Sequence, residues 1–305
     1  MLQILADGLI IGSVVAMGAI GLSMTLSIVR FSNFSHGELL GWGAYFALVA
    51  SLALNAASGS FAAPVGPFSF GWGLLLALLL ACALTALLAL GLDSLLFKRL
   101  RKQGSITLVI ASFGAALALR NLLLFWQGGI PRYYTENLQI AVPLLPRSVM
   151  GGLRVTPDQF FVLALALATV TGLHLFLKRS TLGRSMRATA LNPALARVTG
   201  IDPERILRAT WLMGGVLAAI AGVFAGLTVQ LRPTMGVDLL LPLFAAVILG
   251  GIGSVWGAVL GGFIVGLAES ASVTLVGAEY RSAAAFAVLI AILMVRPRGL
   301  FGETH

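Results

Sequence analysis

Apolar residues run along this chain in long blocks. Nine stand out, near residues 8–29, 36–56, 72–97, 106–126, 158–177, 209–231, 239–252, 255–276 and 282–295. A helix needs about 20 mostly apolar residues to cross a hydrocarbon core. Most blocks reach that length; the seventh and ninth are short, which leaves tilt or re-entry open. Backbone groups in lipid must be satisfied internally, so such blocks predict helices. Outer-membrane barrels alternate apolar and polar residues, and these blocks do not. The pattern predicts an all-α, polytopic transmembrane fold of eight to ten segments, a single domain over residues 1–305.

Composition agrees. Hydrophobic residues make up 59% and charged residues 10%, against about 25% charged in a soluble domain. Disordered chains are poor in apolar residues, so disorder is excluded too. The net charge is +9. A basic balance can mean nucleic acid, but here the basic residues sit in short loops, as the positive-inside rule requires. Arg30, the Lys98–Lys102 cluster, the 178–208 loop, Arg296 and Arg298 place 14 of the 20 basic residues on one side. Arg132, Arg147, Arg154, Arg232 and Arg281 lie on the other, and Arg120 lies inside the fourth block. The expectation is a basic cytoplasmic side, with the N-terminus outside and the C-terminus inside. Asp7 stands where a signal peptide needs positive charge, so the first block reads as a retained helix. Long loops at 57–71 and 127–157 face outward on this count, and loops of that kind can dock a partner.

Glycine numbers 36. Gly253, Gly257 and Gly261 recur every fourth position, as do Gly8 and Gly12, Gly37 and Gly41, and Gly222 and Gly226. Small residues on one face let helices approach closely in lipid; Gly250, Gly251, Gly253, Gly257 and Gly261 are read as packing residues. His36-Gly37-Glu38-Leu39-Leu40 resembles Gly236-Val237-Asp238-Leu239-Leu240. With nine spans the two stretches run in opposite directions, as in inverted repeats.

Much chemistry is missing. No lysine follows a glycine, so the chain has no P-loop to grip ATP. His36, His174 and His305 are far apart, which gives no metal signature. Cys82 is the sole cysteine, which excludes a disulfide within the chain. No nucleophile elbow occurs. No enzyme, cofactor or metal is predicted.

Charges at membrane depth cost a few kcal/mol on insertion scales and face a cavity or a partner. Arg120 and Glu269 are therefore candidates for a buried ion pair. Arg30-Phe31-Ser32-Asn33-Phe34-Ser35-His36-Gly37-Glu38 interposes polar residues between two apolar blocks. Ser35 as N-cap with Glu38 at the third helical position would form a capping box. Asn33 and His36 remain, and Asn33, Ser35, His36 and Glu38 are read as candidates for a polar path. In the 178–208 loop, Asn192 suits an N-cap, Pro193 a first helical residue and Gly200 a helix stop. Asp202-Pro203-Glu204 opens the next helix in the same way. A short exposed helix suits docking into a groove on a soluble partner; an ordinary basic connector is the alternative.

These residues resemble the permease subunits of branched-chain amino acid ABC importers. Asn33-Phe34-Ser35-His36-Gly37-Glu38 is similar to the family's Asn-Phe-Ala/Ser-His-Gly-Glu stretch. Asn192-Pro193-x-x-Ala196-Arg197-x-x-Gly200-Ile201 resembles its coupling segment. The run from Val247 to Ser254, with Gly257-Ala258 and Gly261-Gly262, resembles its glycine-rich signature, and Pro297-x-Gly299-Leu300-Phe301-Gly302 its ending. The resemblance implies a type II importer fold in a bacterial inner membrane, with this chain as the shorter of two permeases. It implies a longer permease, two cytoplasmic ATP-binding subunits and a periplasmic substrate-binding protein as partners. It also implies a coupling helix over about 188–201, in which Arg187 and Arg197 add charge-assisted contacts. The implied substrates are branched-chain or other hydrophobic amino acids, with urea, short amides or aromatic carboxylates as alternatives. A stand-alone channel or secondary transporter is the competing class; it would need coupling-ion residues, for which only Arg120 and Glu269 are available.

Overall fold

The computed structural model describes residues 1–135, 139, 141–145, 152–296 and 299–301. All nine apolar blocks are helical. Eight helices are long and apolar enough to cross a membrane, and Met235–Gly250 is a shorter ninth. In chain order they are α1 (Leu2–Val29), α2 (Ser35–Ala57) and α3 (Trp72–Leu92); α3 continues through a π turn at Asp93–Phe97 into α4 (Lys98–Leu100). Next come α5 (Ser105–Gln127), α6 (Pro157–Arg179) and two short helices, α7 (Thr181–Leu191) and α8 (Pro193–Val198). The rest is α9 (Pro203–Thr228), α10 (Met235–Gly250), α11 (Val255–Leu275) and α12 (Arg281–Val295). Between α5 and α6 lies an antiparallel hairpin, β1 (Val142–Leu145) with β2 (Leu153–Val155). Its strands are too short for their periodicity to show in the sequence.

Local chemistry sets the helix ends. Thr156 and Gln159 form a reciprocal capping box at the start of α6, with Pro157 at the first helical position. Ser180 caps α7, accepting from the Gly183 N–H. The bundle has a loop end and a basic end. At the loop end Gln3 bonds the Arg154 backbone and Asp158 accepts from Ser69 and Gln139. At the basic end Lys98 and Arg101 pair with Glu204, and Arg101 also pairs with Asp93. Asp93 is buried there.

Helix α1 is the central post, packed along α11, α9 and α10. It has no polar face, which suits a helix surrounded by others. Contact with α11 depends on missing side chains. A Cβ on Gly266 would lie 2.3 Å from the Gly12 nitrogen, and one on Gly262 2.6 Å from Ala16 backbone. The α10–α11 hairpin closes likewise: a Cβ on Gly250, Gly257 or Gly261 would strike facing backbone oxygen at 2.0–2.2 Å. Two of the five predicted packing glycines act differently. Gly251 and Gly253 have φ of 97° and 89° and make the turn between α10 and α11, a backbone region that L side chains avoid.

The expected pairing of Arg120 with Glu269 does not form. Glu269 is buried on α11 and accepts from Arg281 Nε at 2.6 Å, across the short turn into α12. That partner is twelve residues away in sequence, and the hydropathy pattern hid it because Arg281 lies just outside a block. His174 accepts from the Trp256 indole at 3.1 Å.

Replacing Gly266 by Val should lower the Tm of the detergent-purified protein, because overpacking costs about 1–3 kcal/mol or more. Gly172→Ala on α6, where an added Cβ meets nothing within 4 Å, should leave Tm unchanged or slightly raised.

Candidate functional site: a buried elbow and a basic docking end

Helix α1 ends at Val29, and Arg30 closes it in the left-handed conformation, φ 63° and ψ 37°. The chain then turns back into the bundle. Phe31 packs on Phe97, with ring centroids 5.2 Å apart, and Phe97 stacks on Trp211. The Phe34 N–H donates to Ser112 Oγ on α5, and Ser112 Oγ donates to the Ser32 carbonyl. A break of this kind survives in lipid only where protein satisfies its backbone; the α5 hydroxyl does so here.

The climb is deep. His36 Nε2 lies 3.1 Å from the Gly18 carbonyl oxygen, and Gly18 is eleven residues back from the end of α1. At 1.5 Å per residue that is about 16 Å along the helix, near half the thickness of a hydrocarbon core. So α2 begins inside the bundle. Helix α10 does the same from the loop end: Leu231 exchanges two backbone hydrogen bonds with Arg132, and Met235 then opens the helix. The starts of α2 and α10 meet. A Cβ on Gly37 would lie 2.5 Å from the Gly236 oxygen, and one on Gly236 2.6 Å from the Gly37 oxygen. The two similar stretches seen in the sequence are thus face to face, with Glu38 and Asp238 in the first turns, where the helix dipole favours an acid.

The predicted capping box at Ser35 is replaced by another device. Helix α2 starts at Ser35 itself, and Asn33 Oδ1 accepts from both the Ser35 N–H and its Oγ, at 3.1 and 2.7 Å. The asparagine two residues earlier reaches the free N–H, so Ser35 is not needed as a cap. Asn33, Ser35, His36 and Glu38 are all at most 1% exposed, so they form an internal joint and line no open surface of this subunit. Asn33 Nδ2, His36 Nδ1 and Glu38 Oε2 have no partner among the described residues.

At the basic end the predicted short helix is present. Asn192 Oδ1 accepts from the Ala194 and Leu195 N–H groups, Pro193 is the first helical residue, and Gly200 follows the helix with φ 84°. Asp202 caps α9 likewise, accepting from Glu204. Ala196 is buried, Ile201 half-buried, and its N–H donates to the Ala196 carbonyl. The expected single segment over 188–201 is two helices, α7 and α8, broken at Asn192. Ser180 before Thr181 was the available signal for α7. Leu195 and Val198 point outward, 60% and 85% exposed, beside an exposed Arg197. Arg187 is exposed on α7. Arg30 Nη2 donates to the Ala190 carbonyl, and Arg30 joins Leu191, Asn192, Pro193, Ala194 and Arg197 around a cavity of about 490 Å³. Arg30 thus links the end of α1 to the end of α7, where α1 and α7 also pack on each other.

At the loop end a second cavity, about 470 Å³, is lined by Tyr133, Tyr134, Asp158, Gln159, Thr228 and Val229 among others. Tyr134 donates to the Ala44 carbonyl; burial, and then Tyr45, push its phenol well above the ordinary range. Of the expected C-terminal motif, Leu300 and Phe301 donate to the Leu249 and Gly250 carbonyls at the end of α10. Pro146, Arg147, Pro297, Arg298, Gly302 and His305 lie outside the described residues.

Comparison with known proteins bears on this arrangement. Residues 4–295 match the family model described as branched-chain amino acid transport system / permease component. The high-affinity branched-chain amino acid transport system permease protein BraD of Pseudomonas aeruginosa is 31% identical, over 99% of this chain and 96% of its own length. The corresponding LivH of Escherichia coli K12 is 29% identical over the same shares. A probable branched-chain amino acid transport permease protein LivH of Methanocaldococcus jannaschii is 28% identical, over 98% of this chain and 92% of its own. The chain is a multi-pass membrane protein and belongs to the branched-chain amino acid transport permease family.

Proposed function

We propose that this chain is one of two permeases of an ATP-driven importer of branched-chain amino acids in a bacterial inner membrane. A second, longer permease completes the passage, two cytoplasmic ATP-binding subunits drive it, and a periplasmic protein delivers substrate at the loop end. The observation that carries the reading is the α7–α8 surface. It pairs outward apolar side chains, Leu191, Leu195 and Val198, with the cations Arg187 and Arg197. A capped helix with apolar tips and a basic rim fits a groove on a soluble partner. Arg187, Asn192, Pro193, Ala196, Arg197, Gly200 and Ile201 make up this coupling surface. Asn192, Pro193 and Gly200 fix its ends, Ala196 and Ile201 seat it, and the arginines meet carboxylates.

Nucleotide binding would draw the ATP-binding subunits together and pull α7–α8, which moves Arg30 and the elbow behind it. The buried Asn33–Glu38 joint would then shift α2 against α10, switching the permease between its two openings. Asn33, Ser35, His36 and Glu38 hold this joint.

The test is co-purification from the native membrane. A larger homologous permease and two P-loop ATPases should come with the chain, and the binding protein encoded beside them should take leucine, isoleucine or valine. Recovery of this chain alone, passing solute without ATP, would replace the importer with a channel or secondary transporter. A binding protein that takes only urea, amides or aromatic carboxylates would keep the architecture and change the substrate.

Two variants probe the coupling route. Leu195→Asp should leave the chain inserted while weakening capture of the ATP-binding subunit about tenfold or more, since a buried interface anchor is worth about 2 kcal/mol. Arg30→Gly should separate stability from function. Glycine suits a left-handed helix end, so Tm should hold or rise, while uptake per ATP falls because the strut to Ala190 is gone. Unchanged uptake would reduce Arg30 to a surface residue.

A further inference from the structure

Helices α5 and α10 both pack on α2 but hardly touch each other. Between them runs a groove whose floor is the start of α2. Three levels can be read along it. At the first, Phe34 of the elbow bridges the two walls, with its ring 6.1 Å from Phe113 on α5 and 5.3 Å from Phe244 on α10. At the far level, Leu123 of α5 and Met235 of α10 close over Gly41, 3.6 and 3.9 Å from where a Cβ would sit. Positions therefore ascend in step: 34 to 41 on α2, 113 to 123 on α5, and 244 to 235 on α10.

Between these closures the ionisable residues are Glu38 and the fully buried His36 from α2, Arg120 from α5 and Asp238 from α10. Arg120 lies seven residues beyond Phe113, about 10 Å by helical rise, and Asp238 six residues from Phe244, about 9 Å. They are level across the groove, and the charges of both reach the Glu38 carboxyl. Glu38 Oε2 is buried and has no partner among the described residues. Arg120 makes no hydrogen bond or ion pair among the described residues. Asp238 is exposed and held only by a loose ion pair, 3.9 Å from Arg232. These charges stand about 10 Å beyond Phe34 of the elbow, inside the bundle's depth. Charged groups there are retained where they face water or a charged partner, because lipid penalises them by a few kcal/mol on insertion scales.

We infer that this groove is the substrate-contacting wall of the passage, and that it takes a zwitterionic amino acid with an apolar side chain. Arg120 receives the α-carboxylate, Asp238 receives the α-ammonium with Glu38 behind it, and the Phe34–Phe113–Phe244 rings receive the side chain. One cation and one exposed anion at the same level match a zwitterion. A simple carboxylate would leave Asp238 without a counter-charge, and neutral urea would leave both Arg120 and Asp238 without one, at the cost of the lost charge partners. The inference rests on the importer reading and names the residues of that importer which meet its cargo.

The experiment uses the complete reconstituted importer in proteoliposomes. In a Cys82→Ser background, Asp238→Cys should react with a charged, membrane-impermeant thiol reagent, and leucine should slow the reaction during turnover. Leu79→Cys, exposed among other leucines on the apolar span α3, should not react. Arg120→Gln and Asp238→Asn should each lower leucine uptake per ATP hydrolysed by about tenfold or more, and Arg120→Lys and Asp238→Glu should recover part of it. A structural role alone would lower assembly and hydrolysis together and leave that ratio intact. Inert Asp238→Cys in an assembled importer, or wild-type uptake per ATP in both neutral variants, would overturn the groove. If the glutamine and asparagine variants fail to assemble, the lysine and glutamate variants and the labelling decide. Failure of the wild-type chain to assemble with any ATPase would overturn the importer reading instead, and Asp238→Cys labelling in liposomes would still report on the groove.

Discussion

Hydrocarbon offers no hydrogen bonds, so a chain that stops being helical inside it must be answered by protein. That constraint governs the centre of this molecule. The elbow between α1 and α2 carries its free backbone N–H groups to specific places, Phe34 to Ser112, Ser35 to the Asn33 side chain and His36 to the Asn33 carbonyl, while the His36 ring reaches the Gly18 carbonyl. The second break, before α10, is answered by Leu231 and Arg132. Each answer ties one helix to another, so the breaks that would weaken a lone helix become the points where the bundle is joined.

The remaining stability comes from close approach. Lipid tails are as apolar as leucine, so burying apolar surface gives little drive between helices in a membrane; packing and dispersion take over. Hence the α1–α11 and α10–α11 contacts are made by Gly8, Gly12, Gly262, Gly266, Gly250 and Gly257, with backbone against backbone. The basic end uses another device. Lys98, Arg101, Glu204 and Asp93 form one connected ionic group that pins the end of the third span to the start of α9, where α7 and α8 are held.

Features with local causes could be read from the sequence. Span length follows from hydropathy, so all nine blocks are helices. Asn192, Pro193 and Gly200 act through their own backbone, so α8 appears where expected. Features decided by distant contacts were hidden. Ser35 looked like a cap because Asn33 could not be seen to reach it. Glu269 looked like a partner for Arg120 because both lie in apolar blocks, while Arg281 stands just outside one. Gly251 and Gly253 shared the spacing of packing glycines, and only their φ angles show that they make a turn. Asn33 and His36 stood out as polar residues between two apolar blocks, but composition could not show that they are buried within this chain. The groove residues Arg120 and Asp238 lie far apart in sequence, and each comes near Glu38 only through the packing of α5 and α10 on α2.

The meeting of Gly37 with Gly236 has a mechanical side. Most helix contacts interlock, with side chains seated between those of the neighbour, and must lift out before they move. Here the starts of two helices touch through peptide groups with no side chain between them. Such a contact resists separation but offers little resistance to rotation, so it works as a bearing. In the proposed importer, this pivot would let a small displacement at the basic end tilt α2 against α10.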